Sequence, residues 1–116
     1  MEEPAVRIEE RRHGAVLIVR PDGPVAGDDA DAFTGAVLTQ ISAQAGRLVI
    51  DASAIGFIDS RGLEALVSLG ERVSATGRTL KLSGLNETVR EVLELTETAD
   101  LFEYYETPDA AARSLA

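Results

Sequence analysis

The sequence predicts an α/β fold with a mostly parallel central sheet and one antiparallel N-terminal hairpin strand. Two observations support this fold class. Strand-like segments alternate with segments of helical spacing, which is typical of βαβ crossovers. Residues 47–51 are almost wholly apolar in their middle, as in a strand buried on both faces. The predicted order is β-β-α-β-α-β-α-β-α. The 116 residues contain no linker or repeat, so we expect one domain over residues 1–116.

The first half of the chain predicts two strands, a helix and a third strand. Residues 6–9 alternate and residues 15–19 are apolar, and His13-Gly14 between them indicates a hairpin turn. A helix is predicted to start at the acids Asp28, Asp29 and Asp31, because negative side chains suit the positive end of the helix dipole. Its buried face is predicted from a spacing of four residues, and Gly46 is placed to end it. The residues of that face are Phe33, Val37 and Ile41.

The second half continues the alternation. A second helix begins near Ser60 and ends at Gly77, and residues 79–83 alternate as a strand. Asn86 is a plausible cap for a third helix, because it stands three residues before Val89. Residues 103–106 predict a short strand, and residues 107–109 open a last helix with proline at its first position.

Composition excludes several classes of function. Eleven Lys and Arg against twenty Asp and Glu leave a net charge of −9, which disfavours nucleic acid and anionic membranes as partners. Cysteine is absent, and a single histidine excludes a histidine-rich metal site. The acidic start, residues 1–4, lacks the features of a signal peptide, and no apolar run reaches the ~18 residues of a membrane span. We therefore expect a cytoplasmic domain whose partner is a protein or a small molecule.

Functional side chains are expected beyond the carboxyl ends of the parallel strands. Residues 51–63 are the most informative segment there, because a buried strand, a short loop and a helix start follow one another. Ser60 has the position of a helix N-cap. Phe57 and Ile58 look exposed in the loop, although one of them is expected in the core. The polar residues expected at this edge are Asp51, Ser53, Asp59, Ser60, Ser83 and Asn86.

The sequence contains no enzyme signature. A nucleophile elbow requires glycine two residues before the serine, and Ile58 stands there. His13, the one available imidazole, is expected in the distant hairpin turn. The pairs Asp28/Asp29 and Asp51/Asp59 fit a cap and a loop anchor better than acid–base partners. We predict no catalytic residue, no cofactor and no metal ion.

Two motifs in this segment resemble the signature of the STAS domain, in particular of bacterial anti-sigma factor antagonists. They are Asp51-x-Ser53 and Phe57-Ile58-Asp59-Ser60-x-Gly62-Leu63, where x is any residue. The resemblance covers nearly the whole chain. It implies that Ser60 is phosphorylated by a partner that is both an anti-sigma factor and a serine kinase. The unmodified form would bind that partner, and a PP2C-type phosphatase would reset the switch. The implied partner-binding residues are Phe57, Ile58, Asp59, Arg61, Gly62, Leu63 and Glu64.

Other interpretations stay open at this point. Arg61 and Glu64 replace residues that are often small in the family, and Arg61 has two possible roles: pairing with a phosphate on Ser60, or solvation on an exposed helix face. Ser53 is a second possible modification site. The chain could instead be a STAS subunit of a phospholipid-transport ATPase complex or of a stress-signalling scaffold. A small hydrolase is the third alternative.

Overall fold

Five strands form one mixed sheet, in which they lie side by side in chain order: β1 (Arg7–His13), β2 (Val16–Asp22), β3 (Leu48–Asp51), β4 (Leu80–Ser83) and β5 (Phe102–Tyr105). The computed structural model describes residues 7–115. The β1–β2 pair is antiparallel and the three following pairs are parallel, as the sequence predicts.

Helices connect the parallel strands, so the predicted element order is confirmed. They are α1 (Gly27–Ala43), α2 (Ser60–Ser74), α3 (Glu87–Leu95) and a terminal α4 (Pro108–Ser114). Asn86 caps α3 and Thr107 caps α4 through side-chain oxygens, the former as predicted. None of these helices, in the part of the chain that is described, has the length and apolar character needed to cross a bilayer.

The three crossover helices lie on one face of the sheet. Each right-handed crossover moves one strand in the same direction, which leaves every connecting helix on the same side. The predicted α1 residues Phe33, Val37 and Ile41 are buried there against Leu48 and Ile50 of β3. The opposite face carries a smaller cluster, in which Ala111 and Ala112 of α4 pack on β2 and β3. The main core is therefore the layer between the sheet and α1–α3.

Several element boundaries differ from the predictions; α2, for example, ends at Ser74 and not at Gly77. The start of β1, predicted at Val6, lies outside the described residues, and the strand extends to His13. β2 continues through Pro21 to Asp22, because it pairs with β3 only as far as Val19 and beyond that with β1 alone. A short 3₁₀ turn, Ala99–Leu101, precedes β5 and was not predicted.

Candidate functional site

Hydrogen bonds hold the start and the middle of the loop between β3 and α2, residues 52–59. Asp51 accepts a bond from the backbone N–H of Ser53 at 3.1 Å, which confirms it as a loop anchor. The Asn86 side-chain amide donates to the carbonyls of Ile55 and Gly56, both at 3.1 Å. Asn86 Oδ1 accepts from Val89 N–H at 2.8 Å, so one side chain caps α3 and fixes the loop.

Asp59, and not Ser60, is the N-cap of α2. Asp59 Oδ1 accepts a hydrogen bond from the backbone N–H of Gly62 at 2.8 Å, while Ser60 is the first residue of the helix. The expectation that Ser60 caps the helix is therefore wrong. Its hydroxyl has no hydrogen bond to any of the described residues, and the residue is exposed.

The carboxylate of Asp59 also joins α2 to α1. Its Oδ2 accepts from the backbone N–H of Gly27, the first residue of α1, at 2.9 Å. Backbone N–H groups stabilise the ionised carboxylate and hold the pKa of Asp59 below its ordinary value. The Gly62 N–H has the largest effect, and those of Gly27 and Arg61 have smaller ones. Since Val25 and Ile58 form a parallel β-bridge beside it, the starts of the two helices are tied through side chain and backbone together.

Gly62 permits the close approach of these two segments. A Cβ at this position would lie 1.9 Å from the carbonyl oxygen of Val25 and 3.0 Å from Cβ of Ile58. No side chain fits in that space, so the α1–α2 junction requires glycine here for steric reasons.

Arg61 crosses from α2 to the first turn of α1. Its Nη1 donates to Asp28 Oδ1 at 3.1 Å, and its Nη2 forms an ion pair with Asp31. This arrangement differs from plain solvation on an exposed helix face, while the pairing of Arg61 with a phosphate on Ser60 stays a prediction. The acid-rich start of α1 was noticed in the sequence only as a match to the helix dipole, and its contact with Arg61 was missed.

The predicted partner-binding residues divide by burial. Phe57 is 52% exposed, whereas Ile58 is only 9% exposed and belongs to the main core. One of the two lies in the core, as expected, and the description of Ile58 as exposed is wrong. Gly62 is also buried and Leu63 is half-buried. Exposed side chains on the loop and the first turn of α2 are those of Ser53, Phe57, Asp59, Ser60, Arg61 and Glu64.

The one histidine lies at the other end of the sheet from Ser60. His13 pairs with Val16 at the start of β2, whereas Ser60 follows the carboxyl end of β3. His13 Nδ1 lies 3.3 Å from Asp109 Oδ1 of α4, and Arg11 holds the pKa of Asp109 below its ordinary value. His13 is therefore not placed to act as a base toward Ser60. Within residues 7–115, no three His, Asp or Glu side chains are grouped in a way that could hold a metal ion.

Residues 7–111 match the model of the STAS domain family. A candidate anti-sigma factor antagonist of Thermotoga maritima superposes with a TM-score of 0.84 and 23% identity, over 92% of either chain. An anti-sigma factor antagonist of Mycobacterium paratuberculosis superposes with a TM-score of 0.81 and 23% sequence identity, over 97% of this chain and 96% of the other.

The Bacillus cell fate determinant SpoIIAA, in its phosphorylated form, shares the fold as well. It gives a TM-score of 0.71 and 16% identity, over 97% of this chain and 100% of the other. The unphosphorylated form of the anti-sigma factor antagonist SpoIIAA superposes with a TM-score of 0.72 and 14% sequence identity, over 96% of each chain. At such identities the likeness establishes a common fold.

Proposed function

This chain belongs to the STAS domain family, and we propose that it is an anti-sigma factor antagonist switched by phosphorylation of Ser60. In the unmodified form it sequesters an anti-sigma factor that is also a serine kinase, and after phosphorylation it releases that partner. It acts by binding and carries out no chemistry of its own.

The position of Ser60 carries the proposal. The residue is exposed, stands at the first position of α2, and is not needed as a cap because Asp59 fills that role. A helix N-terminus tolerates a phosphate, since its free N–H groups and dipole favour negative charge. A kinase can therefore modify Ser60 without disturbing the hydrogen bonds that hold the helix start.

Docking involves the exposed side chains on either side of Ser60. Phe57 offers an apolar contact, while Asp59 and Glu64 make the surrounding surface acidic. The net charge of −9 would steer a partner that presents basic residues. A phosphate adds about −1.5 to −2 charges at pH 7, and this charge must be desolvated beside Asp59 when a partner covers it. Phosphorylation therefore opposes binding.

The rest of the cycle follows from the same proposal. A PP2C-type phosphatase removes the phosphate and restores binding, and all three proteins act in the cytoplasm. That SpoIIAA shares the fold and exists in phosphorylated and unphosphorylated forms supports this cycle.

The test is incubation of the purified chain with ATP and each anti-sigma factor kinase of the source organism, followed by mass spectrometry. We expect one phosphate, on Ser60, with the kinase that also binds the chain. Modification only at Ser53, which is also exposed, would contradict the assignment of the site. If the chain ignores every such kinase and co-purifies with a lipid permease, it is a subunit of a transport complex instead.

A further inference from the structure

Arg61 is the Lys or Arg that lies closest to Ser60 in the sequence. Neither α1 nor the segment from residue 52 to residue 71 contains another Lys or Arg. The guanidinium group points to α1, where it pairs with Asp28 and Asp31. Arg61 directly follows Ser60 in the first turn of α2.

These ion pairs are accessible to solvent. The side chain of Arg61 is 48% exposed, and those of Asp28 and Asp31 are 99% and 64% exposed. Exposed ion pairs contribute little to stability, because water solvates both charges nearly as well as they solvate each other. Arg61 can therefore change partner at low cost when a stronger acceptor comes within reach.

A phosphate on Ser60 would be that stronger acceptor. It carries nearly two charges and three acceptor oxygens, whereas each carboxylate carries one charge. Arginine binds phosphate with charge-assisted, often bidentate hydrogen bonds. Consecutive helix residues are separated by about 100° around the axis, so short side chains at Ser60 and Arg61 would not meet. The long arginine side chain and the added phosphate span that separation.

The Arg61 guanidinium pairs with Asp28 and Asp31, whereas Asp59 binds backbone N–H groups. Its two oxygens already accept hydrogen bonds from the N–H groups of Gly62 and Gly27. That tie does not involve Arg61 side-chain atoms, so it persists when Arg61 changes partner.

We propose that Arg61 exchanges Asp28 and Asp31 for the phosphate when Ser60 is phosphorylated, and thereby transmits the modification from α2 to the first turn of α1. The exchange rests on the proposed function only in taking Ser60 as the modified residue. It leaves Asp28 and Asp31 without their cation, so the surface whose charge changes is wider than the phosphate itself.

The test uses protein with phosphoserine installed at position 60 during translation, so that no kinase is needed. The Nε–H signal of Arg61 is followed by NMR in the wild type and in Asp28→Asn/Asp31→Asn. In the unmodified protein, we expect the double substitution to shift that signal. In the phosphorylated protein, we expect the same signal in both, because the phosphate then holds the guanidinium.

A ³¹P titration provides the second measurement. Removing the cation in Arg61→Gln should raise the second phosphate pKa, ordinarily about 6, by at least about 0.3 unit. Arg72→Gln, at the exposed far end of α2, is the matched control and should leave that pKa unchanged.

Two results would overturn the exchange. One is an Arg61 signal that responds to Asp28→Asn/Asp31→Asn equally with and without phosphate, and the other is equal phosphate pKa values in Arg61→Gln and Arg72→Gln. Neither result bears on whether a kinase modifies Ser60. Conversely, a chain that no kinase modifies would refute the proposed function, while the exchange in the installed phosphoprotein would still be measurable.

Discussion

Oδ2 of Asp59 accepts a hydrogen bond from the backbone N–H of Gly27, 2.9 Å away and 32 positions earlier in the chain. The residue directly before Ser60 therefore binds the first residue of α1 while its other oxygen caps α2. Ser60 stands on a junction of two helices, and its backbone position is fixed independently of its own hydroxyl.

The junction should depend on the charge of Asp59. Asparagine can still cap α2 through its oxygen, but its amide nitrogen cannot accept the Gly27 N–H. We expect Asp59→Asn to unfold at lower urea concentration than the wild type at pH 7. The pKa of Asp59 lies below its ordinary value of 3.8 in the folded state, so its contribution is complete above that pH and is lost as pH falls through the folded pKa.

The difference between the urea midpoints of wild type and Asp59→Asn should therefore shrink as the pH is lowered from 7 to well below 3.8. Asp22→Asn is a suitable control, because that exposed residue at the end of β2 accepts no side-chain hydrogen bond from the described residues. A difference between wild type and Asp59→Asn that stays constant across this range would mean that the carboxylate charge does not support the junction.

Gly62 should tolerate no side chain. Because an added Cβ would meet the Val25 carbonyl at 1.9 Å, Gly62→Ala must push the two helix starts apart, at a cost of about 1–3 kcal/mol. Gly35→Ala is the matched substitution in α1, where no atom lies within 4 Å of the added Cβ, and it should stabilise by about 0.4–1 kcal/mol. Chemical denaturation measures both, and equal effects would show that the close approach is not real.

Substitutions of Ser60 should leave the stability of the fold almost unchanged. Since Asp59 supplies the cap, Ser60→Ala should change the unfolding free energy by less than about 0.5 kcal/mol. Ser60→Asp adds charge at a helix N-terminus and should gain up to about 1 kcal/mol. Asn86→Ala removes a true cap and should lower the unfolding free energy by at least about 0.5 kcal/mol. Thermal unfolding of the three variants measures these changes. A loss of that size in Ser60→Ala would return the capping role to Ser60.

Phe57 should contribute to partner binding without contributing to stability. Its ring is 52% exposed beside the start of α2, so truncation to alanine removes contact area and leaves the core intact. We expect Phe57→Ala to weaken binding of the anti-sigma factor kinase about tenfold, measured by calorimetry. Leu95→Ala removes a side chain that is 76% exposed at the end of α3, outside the proposed binding residues 57–64, and should bind like the wild type. Equal losses from both would place the contact elsewhere.

The order of the elements could be predicted because local patterns and the packing agree. The four-residue spacing of Phe33, Val37 and Ile41 matches the face that α1 buries, and Asn86 caps α3 where the spacing to Val89 indicated. β2 was predicted too short because proline usually ends a strand. Pro21 is accommodated since β3 no longer pairs with β2 at that position.

The details of the site depended on contacts between distant residues. Aspartate and serine are both good caps, so the pair Asp59-Ser60 does not determine where α2 begins. In the structure Asp59 accepts the capping bond from Gly62 N–H, and its other oxygen accepts the Gly27 N–H of α1, a residue far away in the chain. The pairing of Arg61 with Asp28 likewise joins residues 33 positions apart, and no local spacing rule reports such a contact.

The most direct test of the switch compares the affinities of Ser60→Ala and Ser60→Asp for the anti-sigma factor kinase. Both variants should be fully folded in the assay, so a difference in binding reports the side chain at this position and not a loss of folded protein. We predict that Ser60→Ala binds like the unmodified wild type and that Ser60→Asp binds at least about tenfold more weakly. Equal affinities would contradict the phosphorylation switch and leave Ser60 as an ordinary exposed residue at the start of α2.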